Sequence, residues 1–375
     1  MSSTELHLGV SLDGAGSHPA AWQQPGVAES LLDPDRLVSL ARTAERGLFD
    51  FVSLDDSFDP PQSDAPHVPF ALDATLSLAR VAPATNRIGL VATATTTHTE
   101  PFHLSKNLAT LDLVSAGRGA WQVAVSTSEQ AAARFGRKQV QPLDELWAEA
   151  DDAIEVVTRL WDSWEDDAVI RDRATGRYLD RDKVHYIDFV GEFFSVRGPS
   201  ITPRSPQAQP PIVIRADNPS ARQVAARRAD IVIVAATTED AARVARDQIR
   251  EAVGAAGRDP DDVTILVRAT VGAPHLRAEL DALHAAPPHH STLDLVGEAQ
   301  QVAAVLHEWF AAGSVDGFLL QPDSVPQTLE WLTDDVVPIL QELGSFRRSY
   351  DAGTLRDRLG LTRPTNRYER AEVAS

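Results

Sequence analysis

The chain has 375 residues and no cysteine, which excludes disulfides, thiolate metal sites and a cysteine nucleophile. Its formal net charge of −19 disfavours nucleic acid as a partner, because proteins that bind nucleic acid concentrate Lys and Arg on one face. The sequence has neither a secretory signal nor an apolar run near the roughly 20 residues that span a bilayer, so we expect a cytoplasmic protein without membrane contact.

The first third of the chain repeats a strand followed by a helix. Short apolar runs that end in polar residues predict strands at 5–12, 49–54, 88–97 and 120–125. The segments between these runs carry apolar residues at helical spacing. Asp33 and Pro34 supply a helix start signal there, and Gly117 supplies a stop signal.

The same rhythm resumes after residue 210. Strands are predicted at 211–214, 231–234, 263–271 and 315–320, and helices at 220–228, 239–253, 298–312 and 325–343. Pro338 predicts a kink in the last helix or its division into two. Residues 272–297 predict a loop with one weak helix.

Eight strand–helix units favour a closed parallel barrel, a TIM-like (β/α)8 fold of the α/β class, over an open sheet. We expect one domain over residues 1–375. The segment from about 165 to 210 lacks a helical period after the long helix at 146–164, and predicts an insertion over the barrel mouth with a hairpin at 186–196. The charged tail, about 345–375, is expected to wrap the outside.

Polar side chains recur at the carboxyl ends of the predicted strands, where parallel α/β proteins build their sites. They are Asp13, His18, Asp55, Asp56, Thr93 to His98, Gln122, Ser126, Arg215 to Asn218 and Gln321. Neutral hydrogen-bonding groups with few cations suit a large heteroaromatic ligand better than a polyphosphate. His98 is a candidate general base or oxyanion donor. Each of these residues could instead cap a helix or form a turn.

Motifs along nearly the whole chain resemble one known family. They include Ala-Glu-Arg-Gly-Leu-Phe-Asp at 44–50, Arg-Ile-Gly-Leu-Val-Ala-Thr at 87–93, Thr-Thr-His at 96–98, Asp-Lys-Val-His at 182–185 and Val-Arg-Gly-Pro at 196–199. The family is the bacterial-luciferase-like flavin monooxygenases, in the branch that contains nitrilotriacetate monooxygenase, dibenzothiophene-sulfone monooxygenase and the pristinamycin IIA synthase subunits.

This resemblance implies a barrel that receives FMNH2 from a separate flavin reductase. Such enzymes react the reduced flavin with O2 and insert one oxygen atom into a small organic substrate through a flavin C4a-peroxide. The resemblance also suggests a homodimer, or a heterodimer with a homologue. It leads us to expect His98 and His18 as catalytic residues, and as cofactor-binding residues Asp56, Thr93, Gln122, Trp147, Arg215 and Asn218.

The sequence departs from the family at the positions that hold the FMN phosphate. Leu143 and Trp147 replace a His and a Tyr, and Gln122 replaces a flavin-contacting Asn. Asp217 and Pro219 replace a Gly and a Ser in the turn that follows the fifth strand, where Arg215 or Arg222 could supply other donors.

Three hypotheses follow from these departures. The chain is an active monooxygenase with an altered phosphate site, a non-catalytic partner subunit or scaffold that has lost FMN, or a barrel recruited to another cofactor or to cofactor-free chemistry.

Overall fold

Eight parallel strands close into a barrel in the computed structural model, which describes residues 5–59, 68, 70–285 and 291–369. The strands are β1 (His7–Ser11), β2 (Phe51–Leu54), β3 (Gly89–Thr95), β4 (Gly119–Ala124), β5 (Ile212–Arg215), β6 (Ile231–Ala235), β7 (Thr264–Gly272) and β8 (Gly317–Pro322). Each strand pairs in parallel with the next, and β1 pairs with β8 to close the sheet. The predicted (β/α)8 barrel is confirmed.

A ring of helices surrounds the barrel. Those that follow the strands in turn are α1 (Arg36–Arg46), α2 (Ala74–Val81), α3 (Pro101–Val114), α4 (Leu143–Asp162), α5 (Pro219–Arg228), α6 (Glu239–Ala255) and α7 (Ala299–Ala311). The eighth unit has Gln327–Trp331 and Val337–Glu342, joined by a wider turn at Leu332–Val336. Pro338 stands just after this turn, so the structure has an irregular but continuous helical stretch where a kink or a division into two helices was predicted.

The strands are apolar on both faces, because one face packs inside the barrel and the other packs under the helices. Phe51, Val91, Ala120 and Val213 belong to the inner cluster. Their sequence neighbours belong to the larger cluster between sheet and helices. Since successive side chains on a strand alternate, every second residue beyond these inner positions also points into the barrel.

Some short elements were not predicted from the sequence. Leu293–Val296 adds a ninth strand beside the end of β7, outside the closed barrel. A helix at Glu129–Phe135 follows β4, and Val169–Asp172 pairs with Arg177–Leu179. The predicted hairpin at 186–196 is present as the antiparallel pair Phe189–Val190 and Ser195–Val196. Among the described residues, no helix combines the length and the hydropathy that crossing a bilayer requires.

The last part of the segment 165–210 lies at the amino ends of the strands, opposite to the barrel mouth, and its middle part packs along the outside of α4. Gln207 donates to the side chain of Asp112, near the end of α3, at 2.5 Å and to the carbonyl of Gly119, the first residue of β4, at 2.7 Å. Arg204 pairs with Asp162, the last residue of α4, at 2.9 Å. Our expectation of a cover over the barrel mouth is therefore wrong for the contacts described. The physical reason is that these buried carboxylates hold the last part of the segment at the amino ends of the strands.

The tail closes the same end of the barrel. Leu355, Leu359 and Leu361 join the inner cluster and are at most 5% exposed. Arg356 pairs with Asp230, the residue before β6, through bonds of 3.0 Å to both carboxylate oxygens. The described part of the tail thus enters the barrel interior rather than only wrapping its outside. Residues 370–375 of the expected wrap lie outside the described residues.

Candidate active site

A cavity of about 860 Å³ opens at the carboxyl ends of the strands. Its floor is formed by residues that end β1 to β5. Its walls are formed by the start of α4 and by side chains between residues 12 and 40 and between 70 and 80. Such a volume is in the range of cofactor and small-molecule sites. The cavity lies where active sites of (β/α)8 barrels are built, and the other end is filled by the tail.

Asp55 is the centre of a hydrogen-bond network on the cavity floor. Gln122 Nε2 donates to Asp55 Oδ1 at 2.7 Å and to Thr93 Oγ1 at 2.8 Å, and Thr93 Oγ1 donates to Asp55 Oδ1 at 3.2 Å. Arg215 Nη1 donates to the other oxygen, Oδ2, at 3.1 Å. All four residues line the cavity, so the floor offers fixed donors and acceptors with one internal ion pair.

Asp13 lies beside this network and carries a perturbed carboxyl group. Its Oδ1 accepts the backbone N–H of Asp55 at 2.6 Å, and its Oδ2 accepts the hydroxyl of Ser11. Burial, followed by the nearby charge of Asp55, raises the pKa of Asp13 to about 7, while Ser11 and Arg215 oppose the shift. This carboxyl group can therefore gain or lose a proton near neutral pH.

Trp147 brings a buried donor to the cavity wall. It lies on the first turns of α4, lines the cavity and is 5% exposed. Its indole N–H has no hydrogen-bond partner within the described part of the chain. A buried N–H without a partner is costly, which is consistent with a ligand acceptor at this position. Leu143, one turn earlier on α4, lines the same wall with an apolar side chain.

The turn before α5 carries opposite charges and a closed helix start. Arg215 Nε lies 3.3 Å from Asp217 Oδ2, and Arg268 Nη2 lies 3.7 Å from Asp217 Oδ1. Asn218 caps α5, because its side chain accepts the N–H of Ala221 at 2.9 Å. Pro219, the first helical residue, has no N–H to offer. The turn has little left with which to bind a dianion.

His18 and Asp56 line the cavity, but both have structural partners. His18 Nδ1 accepts the N–H of Ala20 at 3.1 Å, so its proton lies on Nε2, which is 3.2 Å from Asp281 Oδ1. Asp56 Oδ2 accepts the N–H of Ala74, the first residue of α2, at 3.0 Å. Burial raises the pKa of Asp56.

His98 lies apart from the other predicted site residues. Its ring stacks on Phe135, with 4.6 Å between ring centroids, and Phe58 lies near both rings. It is not among the cavity-lining residues that the structure describes. Burial and the charge of Lys138 lower the pKa of His98, which favours the neutral imidazole.

The structure thus brings Thr93, Gln122 and Arg215 together around Asp55, a residue that the sequence had placed only among the strand-end groups. The sequence feature that indicates Asp55 is the alternation of inward and outward side chains along β2. Phe51 points into the barrel, so Ser53 and Asp55 do as well, whereas Asp56 points away from the barrel axis.

Comparisons with known proteins agree with this geometry. The family model for luciferase-like monooxygenases matches residues 15–340. The chain belongs to the luciferase-like monooxygenase family. It is similar to N-acetyl-S-(2-succino)cysteine monooxygenase of Bacillus subtilis (strain 168), with 31% identity covering 97% of this chain and 98% of that protein. Its similarity to dibenzothiophene-sulfone monooxygenase of Rhodococcus erythropolis (strain XP) is also 31%, over 96% of this chain and 97% of that protein, and confirms the expected branch.

A solved structure extends the similarity to three dimensions. Riboflavin lyase, solved with modified FMN and its substrate riboflavin, superposes with a TM-score of 0.85 at 26% identity, covering 97% of this chain and 98% of that one. The chain is therefore a flavin-dependent monooxygenase by family, as its sequence motifs predicted.

The described residues fit the two parts of an FMN molecule unequally. The floor around Asp55 and the unpartnered N–H of Trp147 suit the polar edges of a flavin ring. The three cavity-lining arginines that the structure describes, Arg36, Arg80 and Arg215, all donate to protein oxygens already. The site therefore fits a flavin ring, and within the described residues it lacks a ready cation for the phosphate.

Proposed function

We propose that this chain is the oxygenase component of a two-component system, which takes reduced FMN from a separate flavin reductase and oxidises a small organic substrate with O2. The observation that carries the proposal is the Asp55, Thr93 and Gln122 network on the floor of the large cavity. The bound reduced flavin would supply the chemistry, since it activates O2 and delivers one oxygen atom to the substrate.

The protein's own groups would bind and orient the ring. Gln122 and Thr93 are held in fixed positions by Asp55, so their remaining hydrogen-bonding capacity is preorganised for the polar edge of a ligand. The indole N–H of Trp147 adds a donor from the wall. Gln122 is 3% exposed and Thr93 is 3% exposed, so these contacts are shielded from bulk water.

Asp13 would provide a proton store on the cavity floor. Because its pKa is about 7, the carboxyl group holds a proton for part of the time at neutral pH and can release it to a neighbouring acceptor. Asp55 and Ser11 keep its oxygens in place. His18 would maintain the wall of the cavity through its contacts with Ala20 and Asp281.

An anaerobic titration of the full-length chain with FMNH2 tests the proposal directly. Binding should change tryptophan fluorescence, because Trp22 and Trp147 line the cavity. Gln122→Leu should weaken binding about tenfold by removing two hydrogen bonds next to the ring. Asp247→Asn, on the exposed face of α6, is the control and should bind like the wild type.

Oxygen consumption with an added flavin reductase is the second measurement. Substrate-dependent uptake of O2 by the wild type, reduced in Gln122→Leu, supports the proposal. If neither oxidised nor reduced FMN alters the fluorescence or the heat of titration, the proposed function is wrong.

A second function is favoured by the turn before α5. Asp217 and the missing N–H of Pro219 are unfavourable for a phosphate, as expected for a partner subunit that has lost FMN. Such a subunit should bind no flavin and should increase the activity of a co-purified homologue. The expected homodimer or heterodimer stays a prediction, which analytical ultracentrifugation can test.

A further inference from the structure

The wall of the cavity differs in chemistry from its floor. Trp22, Leu31, Leu32, Leu37 and Leu72 form much of the wall. Leu32 is 64% exposed, Leu72 58% and Trp22 36%. Large apolar side chains gathered at a cavity mouth and left open to water are typical of a site that receives an apolar ligand.

The charged groups of the cavity do not compensate for an anionic ligand. The lining residues described include five aspartates and three arginines. Arg80 donates to Asp35 at 2.7 Å, and Arg215 to Asp55 at 3.1 Å. Arg36 donates to the carbonyls of Gly14 and Val325 at 3.2 and 2.9 Å. Among the described lining residues, a carboxylate that entered would meet an acidic surface on which each arginine already has a protein acceptor, which is unfavourable for a desolvated anion.

The aspartates are also committed to protein donors, so the cavity does not call for a cation. Asp55 accepts from Thr93, Gln122 and Arg215, and Asp56 accepts from the start of α2. Asp217 lies between two arginines at 3.3 and 3.7 Å. Apolar walls and a floor whose charges are already paired leave an uncharged molecule as the ligand that loses the least interaction free energy on entering.

We propose that the substrate of this enzyme is an uncharged, largely apolar organic molecule, and that polycarboxylates are excluded. The proposal rests on the proposed function for the reaction, and on the apolar wall and the paired charges for the substrate class. It separates this chain from relatives that act on polyanions, such as nitrilotriacetate monooxygenase component A of Aminobacter aminovorans, and groups it with those that act on uncharged molecules, such as dibenzothiophene-sulfone monooxygenase.

A matched pair of probes tests the substrate class. Biphenyl-4-carboxamide and biphenyl-4-carboxylate have nearly the same shape and differ in charge. Calorimetric titration of the full-length chain, first alone and then with saturating FMNH2 under anaerobic conditions, should give a dissociation constant about tenfold lower for the carboxamide. Nitrilotriacetate should not compete with the carboxamide.

Two variants separate the roles of charge and apolar contact. Asp217→Asn should strengthen carboxylate binding about threefold and leave the carboxamide unchanged, because it frees Arg215 and Arg268 from a counter-charge. Leu32→Ser should weaken both probes equally, about threefold, because it removes apolar contact regardless of charge. Asp247→Asn and Leu343→Ser, at exposed positions away from the cavity lining, are the matched controls.

Three results would overturn the proposal: tighter binding of the carboxylate, equal binding of both probes, or no binding of either. The first arm contains no flavin, so it gives an answer even if FMNH2 does not bind. Loss of flavin binding with a preserved preference for the carboxamide would reject the proposed function and keep the substrate class.

Discussion

The two ends of the barrel contain similar residues, but one end is filled and the other holds an open cavity. At the amino ends of the strands, Leu355 and Leu359 fill the interior, and Arg356 pairs with Asp230 through two bonds. At the carboxyl ends, Asp55 and Arg215 also pair, but around a large open cavity. The buried pair with saturated partners stabilises the fold, and the exposed pair leaves hydrogen-bonding capacity for a ligand. The difference indicates that stability and binding are assigned to separate ends.

Disrupting the ion pair at the closed end should have the largest effect on stability. Arg356→Ala removes one partner of a nearly buried ion pair, 4% exposed on the arginine side, and also the donors to the carbonyl of Gln209. We expect the free energy of unfolding to fall by about 3–5 kcal/mol. Urea denaturation followed by circular dichroism measures this loss. Flavin affinity, measured at low temperature where the variant is folded, should stay the same.

The control for this prediction is Arg348→Ala, at an exposed arginine of the same tail. It should change the free energy of unfolding by less than about 0.5 kcal/mol. An equal loss of unfolding free energy in both variants would show that the ion pair with Asp230 does not stabilise this end of the barrel.

A substitution of Asp13, at the open end, should change stability by an amount that depends on pH. The pKa of Asp13 is about 7 in the folded protein, against 3.8 for an ordinary Asp, so between these values the folded state binds a proton that the unfolded state has released. Stability linked to Asp13 therefore falls as pH rises from about 4 to 7. Asp13→Asn removes that loss and should raise the melting temperature more at pH 8 than at pH 5, by about 2 °C or more.

Differential scanning fluorimetry across this pH range measures the effect. Asp247→Asn, which removes an exposed carboxylate on α6, should shift the melting temperature equally at both pH values. A pH-independent shift in Asp13→Asn would contradict the perturbed carboxyl group.

The smallest expected effect is at the turn before α5. Pro219→Ser restores an N–H and adds a hydroxyl at the helix start, where an anion is favoured. FMN affinity should increase about threefold, and riboflavin affinity should not change, because riboflavin lacks the phosphate. Parallel calorimetric titrations with the two flavins measure the ratio. A gain for both flavins would place the effect on the ring rather than on the phosphate.

Local sequence patterns predicted the barrel because each strand–helix unit carries its own periodicity and boundary signals. They also predicted that Thr93 and Gln122 lie at one end, since parallel strands bring their carboxyl ends together. The choice between Asp55 and Asp56 depended on which strand residues face inward. The position of Phe51 inside the barrel establishes which alternate residues of β2 face inward.

Other features depend on contacts that no local pattern contains. The position of the last part of the segment 165–210 depends on the contact between Gln207 and Asp112, which are 95 residues apart. The environment of His98 is set by Phe135, in a helix that the sequence pattern did not predict. The pKa of Asp13 depends on Asp55, which follows another strand. Each of these three features depends on the tertiary fold and not on the local sequence.

The tail that enters the barrel also has a consequence for folding kinetics. Arg358 donates to the carbonyl of Asp50, 308 residues away, and Leu355 donates its N–H to Gly117. Loop-closure entropy makes such distant contacts slow to form, so the strand–helix units assemble while the interior around Val91 and Ala120 is still uncovered. Partly assembled molecules therefore expose apolar surface and can aggregate. The yield of refolding should increase on dilution or with a chaperone.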